Sequence, residues 1–176
     1  MSLSDKWIDF IYRRVKCSRT RTLLSPAGAI FYWVVFGLFI FASLWMDRFF
    51  RLSNPFPPLL SIVVSVPIFA LGLFLPLWSV FYFIKTRGLS VLCNPPSKLI
   101  IAGPYAYSRN PMVAGISMLL LGLGVLLGST SLVFVFTPLF LLLNVLELRV
   151  MEEPELEKRF GNAYLEYKKK VPRFFL

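Results

Sequence analysis

Met112-Val-Ala-Gly-Ile-Ser-Met-Leu-Leu-Leu-Gly-Leu-Gly-Val-Leu-Leu127, then Gly128-Ser-Thr-Ser131, then Leu132-Val-Phe-Val-Phe-Thr-Pro-Leu-Phe-Leu-Leu-Leu-Asn-Val-Leu146, is two apolar runs parted by four small residues. One helix needs about 20 apolar residues to cross the hydrocarbon of a bilayer. Each run falls short of that, and extension outward through Pro111 and Glu147 completes both crossings. The four small residues read as a tight turn, so the pair is a helical hairpin. Upstream, Ala27 to Met46 has the length of one span, and Pro57 to Ile84 is longer and contains Pro67 and Pro76. Membrane helices tolerate proline where neighbours satisfy the freed backbone, and long spans tilt or kink. The pattern predicts an all-α integral membrane protein with about four transmembrane helices.

Composition agrees. Hydrophobic residues make up 57% of the 176-residue chain and charged residues 16%, against roughly 45–50% and 25% in soluble proteins. That excess cannot be hidden in a soluble domain of this size, and a disordered chain needs the opposite balance. The net charge of +10 reads as membrane topology rather than nucleic-acid binding, because no aromatic and basic groove accompanies it.

The basic residues fix the expected orientation. Six lysines and arginines lie before Ala27, four within 85–111 and seven from Arg149 onward, 17 of the 19, against only Arg48 and Arg51 between the first two spans. The positive-inside rule then puts both termini and the 85–111 loop in the cytosol. One domain is expected over 1–176, with a basic segment at 1–25, two spans over 26–84, and the hairpin and tail over 85–176. Trp7, Phe10, Ile11, Arg14 and Val15 suit a short interfacial helix; no signal-peptide core follows the charged start.

In the tail, Leu156, Phe160, Tyr164, Tyr167 and Val171 recur on one face of an expected cytosolic amphipathic helix. Pro154, Glu155 and Glu157 suit its start and Lys168 to Lys170 its end, the lysines being placed to meet anionic lipid. Gly161 in its middle costs roughly 1 kcal/mol relative to alanine and asks for a reason. Tyr164 and Tyr167 read as packing residues. Gly115, Gly122 and Gly124 read as close helix packing in the hairpin. Cys17 and Cys93 have no bridge or metal-like spacing, and no metal is expected. Histidine is absent, which removes Ser-His-Asp and Cys-His catalysis and histidine-ligated metal.

The hairpin brings two polar stretches side by side: residues 103–111 before its first helix and 147–173 after its second. Arg109, Asn110, Glu147, Arg149, Glu152 and Glu153 collect there. Polar residues at membrane depth are costly and point to function.

Gly103-Pro104-Tyr105, Tyr107-Ser108-Arg109-Asn110-Pro111-Met112 and Gly115, with Glu152-Glu153-Pro154-Glu155-Leu156, Phe160-Gly161, Tyr164, Tyr167 and Val171-Pro172-Arg173, resemble the isoprenylcysteine carboxyl methyltransferase and phospholipid methyltransferase superfamily. The motifs cover about residues 85–176; the first two spans match only in character. The resemblance implies a membrane enzyme using S-adenosylmethionine, bound in a cytosol-facing pocket between the two stretches. The implied acceptor is lipid-like and enters from the bilayer. It implies cofactor contacts at Gly103, Pro104, Tyr105, Tyr107, Arg109, Asn110, Pro111, Glu152 and Glu153. The familiar Arg-His-Pro reads Arg109-Asn110-Pro111 here, which weakens transfer of a prenylated-protein substrate.

The chemistry of these side chains fits. Glu152 or Glu153 can pair the ammonium of S-adenosylmethionine and Arg109 its carboxylate. Tyr105 and Tyr107 offer aromatic faces to adenine or the sulfonium. A carboxylate acceptor needs no base; an amine or thiol acceptor needs deprotonation, for which Glu147 and Glu153 are the candidates. Arg173 can recognise an acceptor carboxylate or phosphate. The plainer roles are headgroup anchoring for Arg109 and Arg173 and dipole complementation for Glu152 and Glu153. Expected partners are membrane lipids and the lipophilic acceptor, with no nucleic acid. The competing functions are an NADPH-dependent membrane reductase of sterol-reductase type and a non-catalytic four-span scaffold. The topology is tested by single cysteines: at positions 50 and 129 an impermeant reagent should label them from outside, and at 95 it should not. The reverse pattern overturns the orientation.

Overall fold

The computed structural model describes residues 18–87 and 99–175. The interfacial segment expected over Trp7 to Val15, and both cysteines, lie outside the described residues. Four apolar helical segments appear. Helix α1 is Ser18–Phe50, α2 Pro58–Arg87 and α3 Pro111–Leu127. Helix α4, Thr137–Glu147, is preceded by a π-helical turn at Leu132–Phe136 and followed by another at Leu148–Glu152. Helices α5, Glu153–Phe160, and α6, Asn162–Lys170, complete the chain.

Three segments are long and apolar enough to cross a membrane: Tyr32–Phe50, Pro58–Lys85 and Leu132–Phe160. The fourth, Pro111–Leu127, is shorter; at 1.5 Å per residue its 17 residues reach only about 25 Å. The last span gains its length by running straight through Glu147 into α5. The protein is an all-α membrane protein, as the sequence predicts.

The short α3 is held mainly by α2 rather than by its hairpin partner. Small residues let the two backbones meet. A Cβ on Gly72 would lie 2.6 Å from the backbone nitrogen of Leu119, and one on Gly115 would strike the ring of Pro76. Pro67 and Pro76 sit within an uninterrupted α2, so Pro76 acts as a packing surface for Gly115. Lipid tails supply no hydrophobic drive between spans, so such close van der Waals contact is what holds them. Helix α1 joins through aromatic edges: Phe36 and Phe39 meet Phe140 at ring distances of 6.2 and 5.9 Å, around buried Leu120 and Leu132.

At the hairpin end, Asp47 of α1 caps the fourth segment. It accepts from the Ser129 hydroxyl and, at 2.9 Å, from the backbone N–H of Ser131. The Ser131 hydroxyl donates to the Ser43 carbonyl at 2.8 Å, and that of Thr130 to the Ser53 carbonyl at 2.7 Å. The 47–56 loop and the hairpin turn therefore share one end of the bundle, as four spans require.

The tail departs from the expected single helix. Gly161 adopts φ 55° and ψ −131° with no neighbour near its Cβ position. It is there for a backbone conformation that L residues avoid. The chain breaks at Gly161, and α6 turns so that Tyr164, Tyr167 and Val171 form a buried cluster with Leu99, Leu156 and Phe160. Val substituted at Gly115 should cost about 1–3 kcal/mol by overpacking. A lowered thermal midpoint in detergent is the expected readout, and an unchanged midpoint would contradict the close α2–α3 contact.

Candidate functional site

The site begins as a short 3-10 turn, Gly103–Ala106, started by Gly103 at φ 65° and buried Pro104. Here a Cβ on Gly103 would collide with the ring of Tyr82. The turn aims Tyr105 inward, near Phe83, and Tyr107 outward. Tyr107 is 64% exposed and lies beside Trp78.

The tail returns to this turn and clasps it. The Tyr167 hydroxyl donates to the Tyr105 carbonyl at 2.7 Å. Arg109 and Asn110 donate their backbone N–H groups to the carbonyls of Pro172 and Arg173 at 3.0 and 3.2 Å. Buried Ser108 donates its hydroxyl to the Arg173 carbonyl at 3.0 Å. The Val-Pro-Arg stretch thus docks by its backbone onto the loop that precedes α3.

Glu153 locks the clasp. Its Oε1 accepts from Arg109 Nη1 at 3.0 Å and from Arg173 Nε and Nη2 at 3.0 and 2.8 Å, while Lys168 Nζ lies 3.0 Å from Oε2. The residue is only 6% exposed. Three cations therefore saturate this carboxylate, so it is not a free base, and Arg173 spends its fork on Glu153. Lys168 also meets Glu157 at 2.9 Å. Bonds to these two carboxylates hold its ammonium above the usual lysine range, and it serves the clasp rather than lipid.

The adjacent Glu152 behaves differently. It has no hydrogen-bond or ion-pair partner among the described residues, and it faces two cavities at once. The smaller, about 150 Å³, is walled by Phe83, Leu99, Leu156, Phe160, Tyr164 and Tyr167 together with Glu153. The larger, about 620 Å³, lies among α1, α2, α3 and α4, with an apolar wall of Trp33, Leu77, Val80, Met112 and Ile116. Tyr105, Arg109, Asn110 and Glu152 line both. Trp33 and Leu77 are more than half exposed, so the larger cavity opens sideways toward lipid.

Arg109 carries a further signal. Its Nε is buried without a hydrogen-bond partner, and a buried orphan donor is costly. Burial and the nearby negative charge of Glu152 push the Tyr105 phenol up to about 12. Burial likewise raises Tyr164 in spite of the Arg109 guanidinium beside it. Both remain neutral hydroxyl groups at physiological pH.

Of the residues singled out in the sequence, Tyr105, Arg109, Asn110 and Glu152 converge at the junction. Pro111 and Glu147 line the larger cavity and Glu153 the smaller. Gly103 and Pro104 shape the turn, while Tyr107 and Arg173 line neither cavity. Tyr164 and Tyr167 pack, as expected, and also wall the smaller cavity. Tyr32, Trp33 and Asn144 were not foreseen. Asn144, a lone amide within an apolar span, was the one legible sign.

A family model described as phospholipid methyltransferase matches residues 60–163, more than half of the chain. No curated protein and no solved structure matches it. Removing the Glu153 charge leaves three cations facing one another, at a cost of about 3–5 kcal/mol for a broken buried pair. Glu153→Gln should lower the thermal midpoint and speed proteolysis near Gly161. A tail as resistant as in the parent protein would show that the clasp does not depend on this carboxylate.

Proposed function

The chain belongs to the phospholipid methyltransferase family, and from that membership we propose that it transfers the methyl group of S-adenosylmethionine to a lipophilic acceptor at the cytosolic membrane face. The observation that carries this reading is the junction of a small polar cavity with a larger, lipid-facing apolar one at Tyr105, Arg109, Asn110 and Glu152.

The residues at the junction suit that cofactor. The orphan Nε of Arg109 is a donor for the methionine carboxylate. Unpartnered Glu152 is a counter-charge for the ammonium. Tyr105, Phe83 and Phe160 offer aromatic faces for adenine and for the sulfonium, a contact worth about 0.5–2 kcal/mol. With about 150 Å³, the smaller cavity takes the amino-acid end, and the rest of the molecule reaches the junction. S-adenosylmethionine supplies an electrophilic methyl group on sulfur. The chain supplies position, and the cavity walls hold an acceptor against that junction, which can provide much of the rate. Glu147, on the wall of the larger cavity, is the base for an acceptor that must lose a proton; Glu153 holds the tail.

Lipid reaches the larger cavity laterally in this reading, past Trp33 and Leu77. Each methylene kept in an apolar setting contributes about 0.8 kcal/mol, so tail length governs acceptor affinity. The cytosolic assignment follows from the distribution of basic residues.

The test is equilibrium binding to detergent-purified protein. S-adenosylhomocysteine should bind and NADPH should not. Glu152→Gln should weaken S-adenosylhomocysteine about tenfold or more, the loss expected when one partner of a partly desolvated charge pair is removed. Binding of NADPH alone would favour a reductase, and binding of neither ligand a scaffold.

A further inference from the structure

We propose that α6 and residues 171–173 form a hinged cover over the smaller cavity, turning at Gly161 and latched on Glu153, and that a ligand anion on Arg109 holds the cover shut. This rests on the methyl-transfer reading for the identity of that ligand, and adds to it how the site opens and closes.

The smaller cavity is walled from both sides of the chain break: Leu156 and Phe160 come from α5, Tyr164 and Tyr167 from α6. Its volume of about 150 Å³ is below the roughly 300–1,000 Å³ of sites that hold small ligands. A wall has to yield for a ligand to enter, and the tail is the wall suited to it. Among the helices, α6 has its close backbone neighbours in α5, and its nine residues are too few to be stable as a helix alone. At the joint, Gly161 takes φ 55° and ψ −131°, and nothing lies within 4 Å of its Cβ position. Glycine serves the backbone turn there and not a need for room, and the open space leaves the turn free to rotate.

The fastenings of the cover converge on the loop before α3 and on Glu153. The Tyr167 hydroxyl holds the Tyr105 carbonyl, and the backbone N–H groups of Arg109 and Asn110 hold the carbonyls of Pro172 and Arg173. Lys168 and Arg173 reach Glu153 at 3.0 and 2.8 Å. Arg109 connects this latch to the cavity. Its Nη1 is held by Glu153, while its buried Nε has no partner and the residue lines the cavity. An anion that engages Nε fixes the guanidinium in the orientation that also serves Glu153. Because Tyr164 and Tyr167 leave the wall when α6 swings away, the ligand meets its complete site only in the closed form. Occupancy and closure therefore favour each other.

The test is hydrogen exchange on the full-length protein in detergent, together with the rates at which S-adenosylhomocysteine is taken up and released. The amides of α6, Arg109 and Asn110 should exchange as one group and faster than those of α3 and α4, as a separately opening unit does. S-adenosylhomocysteine at about 100 times its Kd should slow that group about 100-fold. Gly161→Ala forces a side chain into a backbone conformation that L residues avoid, and should speed exchange of the group about tenfold. Uptake and release of the ligand should both quicken with it. Lys168→Gln removes a latch bond without touching either cavity lining, and should act in the same direction severalfold. Exchange of α6 only together with the whole bundle overturns the cover, as do rates that neither substitution moves. Faster release without faster uptake also overturns it, being the mark of lost contacts. If the parent protein fails to bind S-adenosylhomocysteine, the methyl-transfer reading fails. The cover then stands if the α6 group still opens as one, and faster in both variants, and falls otherwise.

Discussion

One buried carboxylate organises the functional end of this protein. Glu153 joins Arg109 from the loop before α3, Lys168 from α6 and Arg173 from the extreme tail. The loop before α3 and the tail, distant in sequence, meet on two oxygen atoms. A buried charge is tolerable only when its lone pairs are matched, and here each oxygen has a cation within 3.0 Å. The backbone bonds between 108–110 and 172–173 follow from that convergence. So does the wall of tyrosines that closes the smaller cavity. The ion cluster acts together with the buried face of α6, where Tyr164 and Tyr167 pack against Leu99, Leu156 and Phe160.

The bilayer imposes the second constraint. Packing between spans has to come from shape, and α2 and α3 achieve it with Gly72 and Gly115 at the points of closest approach. Helix α1 makes the contrasting choice. It touches the bundle through Phe36 and Phe39 and through Asp47 at the hairpin end, and it stands apart from α2 along the middle. The space left between them is the larger cavity. A tightly packed pair thus stands beside a helix that meets the bundle at separate points.

The polar residues divide by end. Asp47, Ser129 and Ser131 satisfy helix termini and one another, which leaves them nothing to offer a ligand. At the opposite end Glu152, Glu147 and the Nε of Arg109 lack partners. Completed hydrogen bonding marks architecture, and unfinished hydrogen bonding marks a place for something else to bind.

The sequence by itself determined the four apolar segments, the hairpin and the two polar stretches that meet, though not that the third would stay short and the fourth run on to Phe160, because apolar composition and turn chemistry are properties of contiguous residues that a bilayer reads locally. It also carried the family motifs and most of the junction: Tyr105, Arg109, Asn110 and Glu152. It did not distinguish Glu152 from Glu153, since both are acidic and both sit at the same helix entry. Successive side chains on a helix diverge by about 100°, so one of the pair turns into the ion cluster and the other into the cavities. That outcome depends on where the tail comes to rest. The break at Gly161, the outward turn of Tyr107 and the arrival of Tyr32 beside Asn144 were likewise decided only by the tertiary structure. Each depends on a partner remote in the chain, and one-dimensional periodicity carries no information about which remote groups will meet.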